Sequence, residues 1–167
     1  MKLAIIGAGG HAKEVIYQLQ DAGFHISAQF VDDFYRVGTL SRLSEFNPKK
    51  YEVLIAVGDC KVRQDIAERL PSNTKFFNFI HPSALVHKDT VLGEGCFIGA
   101  YCMVMPNVKI GKHTILNRNV HVGHDCQIGN YFSAMAGVVV SGDVNIKDRV
   151  YVGNNASIKE KKMIVED

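Results

Sequence analysis

The fold is decided by residues 86–158, which begin VHKDTVLGEGCFIGAYCMVMPNVKIGK and keep one period to their end. Every sixth residue of this stretch is apolar, and twelve of these thirteen residues are Val, Ile or Leu. Glycine often follows these positions, and a small or β-branched residue usually stands two places before them. This period of six indicates a hexapeptide repeat, in which each unit forms one flat face of a parallel β-helix.

Stacking of the repeat sets the register of the predicted β-helix. Three faces make one coil, so residues 18 apart are expected to stack at about the 4.8 Å spacing of paired strands. The apolar positions should then form three inner columns: Val86, Val104, Val122, Val140 and Ile158; Leu92, Ile110, Ile128 and Ile146; and Ile98, Leu116, Ala134 and Val152. Because these columns fill the core, chemically active side chains must come from the outer surface and the corners.

The residues before the repeat alternate between strand and helix patterns. Apolar runs at 2–6, 25–31, 51–57 and 75–80 are typical of strands, and two amphipathic segments between them are typical of helices, the first ending near Gly23. This alternation predicts a small parallel α/β unit with a Rossmann-like order. We therefore expect two domains, a small α/β domain at 1–80 and a parallel β-helix at 81–167.

The end of the repeat is less regular than its middle. Charged residues occupy 159–162, where the repeat predicts a glycine and a small inward residue. Ile164 still fits the period. We expect the last residues to form a cap or tail, which would leave the β-helix short at its C-terminus.

Composition excludes several classes of protein. The net charge is +2 with 22% charged residues spread evenly, so no basic stripe suggests nucleic acid or a membrane surface. No apolar window is long enough to span a membrane. The four cysteines lack metal-binding spacing, and three of them fill the small inward slot of the repeat. These features favour a reducing compartment, and we expect a cytoplasmic protein.

A glycine turn follows the first predicted strand. The pattern Gly7-x-Gly9-x-x-Ala12 fits a phosphate-binding fingerprint, because glycines let backbone N–H groups approach a phosphate at a helix N-terminus. His11 brings an imidazole to the phosphate end, and Asp32 stands where a ribose hydroxyl would be accepted. A tight turn without a ligand, with His11 as a capping or solvent-facing residue, is the alternative. About 80 residues leave room for one nucleotide rather than two.

A second turn is expected on the same edge of the sheet. Gly58 and Asp59 close the third predicted strand, and Arg63 lies on the helix that follows. Arg63 is a candidate for binding a phosphate, although an ordinary arginine on the helix surface fits the pattern equally well.

The outer residues of the repeat offer one concentrated group. His121 and His124 have the spacing of a metal pair, but nearby ligands are too few, so no metal is expected. The alternative is that His124 acts as a general base beside Asp125. Residue 142, one coil above His124, is a glycine whose N–H could polarise a carbonyl. Ser133 has no acid or base near it in this register, which favours direct transfer over a seryl nucleophile.

These motifs resemble the sialic acid O-acetyltransferase-like (NeuD/PglD) family of bacterial sugar acyltransferases, which join a small nucleotide-binding α/β domain to a left-handed β-helix. The resemblance covers nearly the whole chain. It rests on Ile5-Ile6-Gly7-Ala8-Gly9-Gly10-His11, Val31-Asp32-Asp33, Ala56-Val57-Gly58-Asp59 with Arg63, His81-Pro82-Ser83-Ala84, Asn117, and His124-Asp125-Cys126-Gln127-Ile128-Gly129.

The resemblance implies an acetyl-CoA-dependent transfer to the amino group of a nucleotide-linked amino sugar, in the synthesis of bacterial surface glycans. His124 would be the base and Asp125 its partner, Asn117 would contact the sugar, and the Gly142 amide would hold the thioester carbonyl. The nucleotide sugar would be bound by Gly7, Gly9, Gly10, His11, Asp32, Asp33, Gly58, Asp59 and Arg63.

The resemblance also implies a homotrimer with its sites between neighbouring β-helices. Ser133 stands where the family often has a histidine that contacts the acyl donor, and we expect it to bind acetyl-CoA. The family usually continues through a further coil and a closing segment that help to bind coenzyme A, whereas this chain ends at Asp167. Two alternatives stay open: O-acetylation of sialic acid or a related sugar, and a catalytically inactive module that binds a nucleotide sugar.

Overall fold

The computed structural model describes residues 1–32 and 40–165. The N-terminal unit is a parallel five-stranded sheet in the order β3-β2-β1-β4-β5. Its strands are β1 (Lys2–Ile6), β2 (Ile26–Val31), β3 (Ser41–Arg42), β4 (Tyr51–Ile55) and β5 (Lys75–Phe76), joined by helices α1 (Gly10–Asp21) and α2 (Cys60–Arg69) and a 3₁₀ turn at Leu43–Glu45. The predicted α/β fold is confirmed.

Helix α1 forms because its apolar residues recur on one face. Ala12, Val15 and Leu19 are fully buried against the sheet. The helix ends at Asp21, and Gly23 then adopts a left-handed φ of +83° while the Phe24 N–H donates to the Leu19 carbonyl. Glycine reaches this conformation without a Cβ clash, so Gly23 acts as the predicted stop.

The second unit is a left-handed β-helix of three five-stranded parallel sheets, here called faces 1, 2 and 3. Face 1 contains Phe79–Ile80, Phe97–Ile98, Ile115–Leu116, Ser133–Ala134 and Tyr151–Val152. Face 2 contains Leu85–Val86, Met103–Val104, His121–Val122, Val139–Val140 and Ser157–Ile158. Face 3 contains Val91–Leu92, Lys109–Ile110, Gln127–Ile128, Asn145–Ile146 and Met163–Ile164.

The register of these sheets confirms the predicted stacking of residues 18 apart. Val104 pairs with Val122, and Val122 pairs with Val140, and all three are 1% exposed. Leu116 pairs with Ala134 in the same way on face 1. The inward side chains of the three faces thus form one continuous apolar core.

The corners between faces have a repeated backbone conformation. One residue in most corners has a left-handed φ near +60°, which asparagine and aspartate tolerate better than most residues. The corner between faces 2 and 3, called corner 2/3, carries Asn107, Asp125, Asp143 and Lys161 at this position. The corner between faces 3 and 1, called corner 3/1, carries Gly95, His113, Tyr131 and Arg149.

Two details differ from the sequence-based predictions. The apolar run at 75–80 is two strands in different sheets, because β5 pairs with β4 whereas Phe79–Ile80 pairs with Phe97–Ile98. Asn78 lies between the two strands, and its Oδ1 accepts a hydrogen bond from the Cys96 N–H of the next coil at 2.8 Å. At the other end, the expected cap or tail contains a further strand, since Met163–Ile164 pairs in register with face 3. The charged residues before it occupy a corner, where they face solvent.

The α/β unit packs against face 1 of the β-helix. Phe79, Phe97 and Ile115 point outward from face 1, yet they are only 1–2% exposed. They join one apolar cluster with residues of β1, α1 and β4, namely Leu3, Ile5, Ala12, Val15, Leu19, Leu54 and Ala56. Burial of each large side chain contributes about 1.5–3 kcal/mol. Of the helices among residues 1–32 and 40–165, none is long and apolar enough to cross a membrane.

Candidate functional site

The glycine turn lies at the switch point of the sheet. Strand β1 lies between β2 and β4 in the sheet. The chain continues from β1 to β2 on one side and from β4 to β5 on the other side, which opens a crevice at the carboxyl ends of β1 and β4. A cavity of about 480 Å³ lies there, called the glycine cleft. It is lined by Ile6, Gly7, Ala8, Gly9, Gly10, His11, Val31, Asp32, Ala56, Val57, Gly58, Asp59, Val62 and Ile66.

The backbone of the turn suits a bound anion. Gly7 has a φ of +125°, and a Cβ built on it would lie 2.6 Å from the Ala56 carbonyl oxygen, so only glycine fits. Helix α1 begins at Gly10, and its N-cap Gly9 supplies no side-chain hydrogen bond. The first N–H groups of the helix therefore face the glycine cleft without a side-chain cap, at the positive end of the helix dipole.

His11 lies beneath the cleft, with its ring edge-on to Phe97 at 5.9 Å between centroids. Both ring nitrogens are buried without a hydrogen-bond partner. Burial, followed by the charge of Arg63, lowers the pKa of His11 to about 4, so the imidazole is neutral at neutral pH. A neutral imidazole can donate or accept a hydrogen bond, but it adds no positive charge to the cleft.

Two of the three acidic residues predicted for the cleft line it. Asp32 lines the cleft and forms an ion pair with Arg69. Asp33 lies outside the described residues. Asp59 also lines the cleft, and its carboxylate caps helix α2 by accepting from the Val62 N–H at 2.9 Å.

Arg63, predicted as a candidate for binding a phosphate, lies between the two units. This side chain is 0% exposed and bridges the two units. Its Nε donates to the His113 carbonyl at 2.9 Å, and its terminal nitrogens donate to the Tyr131 and Val57 carbonyls at 2.6 Å each. Burial lowers the pKa of Arg63, and each of its three guanidinium nitrogens donates to a carbonyl. The sequence pattern could not reveal this, because the carbonyls of the β-helix come from residues 50 to 70 positions away.

Ser133, predicted to contact the acyl donor, also lies in the contact between the units. It is 0% exposed, donates to the Gly58 carbonyl at 3.0 Å and accepts from Arg63 at 2.9 Å. An outward position on face 1 becomes interior once the α/β unit covers it.

Asn117, predicted to contact the sugar, lies at the edge of the contact between the units. It is 3% exposed, and its Nδ2 donates to Glu14 of α1 at 2.9 Å. Its Oδ1 accepts from the Arg118 N–H at 2.7 Å. The side chain therefore joins the corner between faces 1 and 2 to helix α1 and does not face an open site that could take a sugar.

Corner 2/3 carries the histidine–aspartate pair. His124 Nδ1 and Asp125 Oδ2 are 2.6 Å apart, and the two side chains are 64% and 50% exposed. The hydrogen bond from His124, followed by one from Asn107, holds the pKa of Asp125 below its ordinary value. The carboxylate favours the tautomer with a proton on Nδ1, which leaves Nε2 as the basic nitrogen.

Gly142 is the neighbour that leaves room for this ring. A Cβ built on Gly142 would lie 2.6 Å from His124 Nε2, closer than any side chain could approach. The backbones of the two coils are linked here, since the Asp143 N–H donates to the His124 carbonyl at 2.8 Å. The basic nitrogen of His124 thus lies beside the Gly142 backbone, as the stacking of residues 18 apart predicts.

Asn107 belongs to this corner, although the sequence motifs did not single it out. Its Nδ2 donates to Asp125 Oδ1 at 3.1 Å. The signal was present, because Asn107 stands 18 residues before Asp125 and therefore one coil below it. Within residues 1–32 and 40–165, no group of three or more His, Cys, Asp or Glu side chains is arranged to hold a metal.

The glycine cleft and corner 2/3 lie on opposite sides of the chain. The α/β unit covers face 1 and contacts the corners at both of its edges, through Arg63 on one side and Glu14 on the other. Corner 2/3 is the remaining corner of the triangular β-helix. A ligand in the glycine cleft of one chain is therefore separated from His124 of the same chain by the β-helix itself.

Comparisons with known proteins cover both units. Residues 2–70 match the PglD N-terminal domain, and residues 74–167 match the GMPPB C-terminal domain. The chain is 38% identical over 111 residues to UDP-N-acetylbacillosamine N-acetyltransferase of Bacillus subtilis, covering 59% of this chain and 51% of that protein. It is 32% identical over 123 residues to GDP-perosamine N-acetyltransferase of Escherichia coli O157:H7, covering 65% and 55% respectively. The chain thus spans about half the length of these two relatives.

Solved structures share the fold. WeeI from Acinetobacter baumannii superimposes with a TM-score of 0.81 at 22% identity, over 99% of this chain and 89% of that one. A mutant of perosamine N-acetyltransferase from Caulobacter crescentus, in complex with CoA and GDP-perosamine, gives 0.71 at 23% identity, over 98% and 90%. Both comparisons support the arrangement of an α/β unit followed by a β-helix.

Proposed function

The chain belongs to the PglD/NeuD-like family of hexapeptide-repeat proteins, with residues 74–167 in the GMPPB C-terminal domain family, and from this premise we propose that it is an acetyl-CoA-dependent acyltransferase. Its acceptor is the amino group of a nucleotide-linked amino sugar. Two relatives with at least 32% identity carry names of nucleotide-sugar N-acetyltransferases, which favours N-acetylation over O-acetylation.

In this proposal, one unit binds the nucleotide sugar and the other carries out the acyl transfer. Residues 1–80 hold the nucleotide sugar, whose diphosphate lies against the uncapped start of α1 in the glycine cleft. His11 lines the same cleft beneath the ligand, and its neutral ring adds no charge beside the diphosphate. Asp32 accepts from a ribose hydroxyl. Residues 81–167 supply the chemistry at corner 2/3.

One observation carries the proposal, namely the His124–Asp125 pair at 2.6 Å with Nε2 against the Gly142 backbone. The sugar amine attacks the thioester carbonyl while His124 Nε2 accepts a proton from its nitrogen. The Gly142 N–H stabilises the oxyanion that develops on the carbonyl oxygen. The tetrahedral adduct then collapses, the C–S bond breaks, and the imidazolium returns the proton to the sulfur of coenzyme A.

The separation of the glycine cleft from corner 2/3 within one chain bears on the oligomeric state. A nucleotide sugar bound in one chain meets His124 of a neighbouring chain, so we propose a homotrimer with active sites between subunits. Face 2 offers an apolar surface for this contact, since Leu85, Met103 and Val139 are 62%, 38% and 40% exposed. We also propose that the reaction takes place in the cytoplasm, in keeping with four free cysteines that are all buried.

Ligand binding is the first test. UDP, GDP and CMP are titrated against the thermal midpoint, because a ligand that binds only the folded state raises it. We expect at least one nucleoside diphosphate to raise the midpoint in the wild type and to lose this effect in Gly9→Asp, which puts a carboxylate beside the bound phosphate. CMP as the sole effective nucleotide, or no response to any, would contradict the assigned substrate class.

Activity is the second test, measured as release of coenzyme A thiol with UDP- and GDP-linked amino sugars. We expect turnover with an amino sugar and none with the corresponding hydroxy sugar. Nucleotide binding without thiol release would favour the inactive binding module, and turnover of free sialic acid would favour O-acetylation.

Sharing of the site between subunits is tested by mixing. His124→Ala and Gly9→Asp subunits, each inactive alone, should regain part of the activity when they are unfolded together and reassembled, since some interfaces then combine two intact halves. No recovery in mixed assemblies of the wild-type size would contradict a site between subunits.

A further inference from the structure

The corner that carries His124 contains a third side chain in line with the pair. Asn107 lies one coil below Asp125, and both residues have a φ of +61°. This repeated backbone conformation brings the two side chains to the same edge of the β-helix. Asn107 Nδ2 donates to Asp125 Oδ1 at 3.1 Å, while Asp125 Oδ2 lies 2.6 Å from His124 Nδ1.

Each carboxylate oxygen of Asp125 therefore has its own partner. A carboxylate held by one hydrogen bond can rotate about its side-chain torsion, whereas two donors on separate oxygens fix its plane. The plane matters because Asp125 is 50% exposed, so its orientation depends on these two hydrogen bonds. Fixing the carboxylate also fixes the imidazole of His124, and with it the position of Nε2 beside Gly142.

We propose that Asn107 is a positioning residue for the acyl transfer, which orients His124 through Asp125. This rests on the proposed function, in which His124 is the base. Asn107 touches neither reacting group, and its effect is to keep the proton of the imidazole on Nδ1 and the lone pair on Nε2. Positioning of this kind is typical of the partners that orient a catalytic or metal-binding histidine.

Matched variants separate this role from a local structural one. Asn107→Gly removes the amide and keeps the left-handed backbone, which glycine adopts without strain. Asn107→Asp keeps the size and puts a second carboxylate beside Asp125, which favours the imidazolium form of His124. Asn119 has a φ of +57° and is likewise exposed, but it lies on the corner between faces 1 and 2, so Asn119→Gly and Asn119→Asp are the controls.

The kinetic readout is the dependence of kcat and KM on pH. We expect Asn107→Gly to lower kcat about 3- to 10-fold. The KM for acetyl-CoA and the KM for the nucleotide sugar should change little, since the variant loses the orientation of His124 and not a contact with a substrate. We expect Asn107→Asp to move the acidic limb of the kcat profile to higher pH and to recover at alkaline pH. The two Asn119 variants should match the wild type. A kcat of Asn107→Gly within twofold of the wild type, together with an unshifted limb for Asn107→Asp, would overturn the proposal.

A second readout does not depend on activity. The ¹⁵N shifts of the His124 ring report which nitrogen carries the proton in the ligand-free protein. We expect the Nδ1–H tautomer to predominate in the wild type and in Asn119→Gly, and to lose its predominance in Asn107→Gly. An unchanged tautomer would overturn the positioning role. A changed tautomer in a protein that transfers no acetyl group would support the role of Asn107 while the proposed function fails.

Discussion

His113 and His124 stand eleven residues apart, each at a corner of the β-helix, and their surroundings are opposite. His113 is 1% exposed, stacks on Tyr131 at 5.2 Å and meets Phe76 of the α/β unit edge-on at 4.5 Å. Burial, followed by the charges of Lys112 and Arg63, lowers its pKa to about 4. His124 is 64% exposed and faces a carboxylate and a glycine.

The repeat thus makes similar corners, whereas the α/β unit governs what the side chains at each corner do. Corner 3/1 is covered, so polar groups there serve the contact between units, as the His113 and Tyr131 carbonyls do by accepting from Arg63. Corner 2/3 is open, so its side chains are available for chemistry. Four variants test this contrast, and they are given in order of decreasing effect.

His124→Ala tests the open corner. Loss of the general base should lower kcat/KM by about 100- to 10,000-fold. The thermal midpoint should change little, because the ring is mostly exposed. Thiol release and thermal unfolding measure the two effects, and an enzyme within a few-fold of the wild type would remove His124 from the mechanism.

Arg63→Ala tests the covered side. Three or more carbonyls would lose a buried donor, so the free energy of unfolding should fall by about 3–5 kcal/mol. Arg118 is the matched control, because it is 54% exposed in its ion pair with Glu14, and Arg118→Ala should cost less than about 1 kcal/mol. Both are measured by denaturant unfolding at one protein concentration. Equal losses in the two variants would contradict the bridging role of Arg63.

The pH dependence of stability tests the buried histidine. The unfolded chain binds a proton at His113 near pH 6.5, whereas the folded chain does so near pH 4, so the unfolded state binds more protons between these values. The contribution of neutral His113 is therefore present above pH 6.5 and lost as the pH falls toward 4, by at most about 3 kcal/mol. Neutral His11 adds a loss of the same sign.

The variant for this test is His113→Asn, since asparagine tolerates the left-handed φ of +53°. It is less stable at every pH because the ring contacts are gone, but its free energy of unfolding should fall less steeply between pH 6.5 and 4. A slope equal to that of the wild type would show that His113 does not titrate as its burial implies.

Glu14→Gln should have the weakest effect of the four. Glu14 is 44% exposed, and its bonds to Asn117 and Arg118 lower its pKa, the larger part coming from Asn117. Glutamine can still accept from Asn117, so only the exposed ion pair is lost, at less than about 1 kcal/mol. Denaturant unfolding measures it, and a loss as large as that of Arg63→Ala would mean that this edge, rather than Arg63, holds the units together.

Much of the fold was predictable because it depends on short periods. The six-residue period places Val104 and Val122 in one column, and the 18-residue coil places Gly142 above His124 and Asn107 below Asp125. The roles of Arg63, Asn117 and Ser133 were not predictable in this way. Their partners in the other unit lie at sequence separations of 50 to 103 residues, where no period applies.

The amino-acid sequence alone specified the α/β unit, the β-helix, its register and the histidine–aspartate pair at one corner. Local periodicity carries this information, because the alternation of inward and outward residues is set within each strand and repeated at each coil. Which outer face is covered depended on tertiary packing. Phe79, Phe97 and Ile115 bury face 1 against helix α1, and this single contact turned three candidate ligand-binding residues into internal links and left corner 2/3 open.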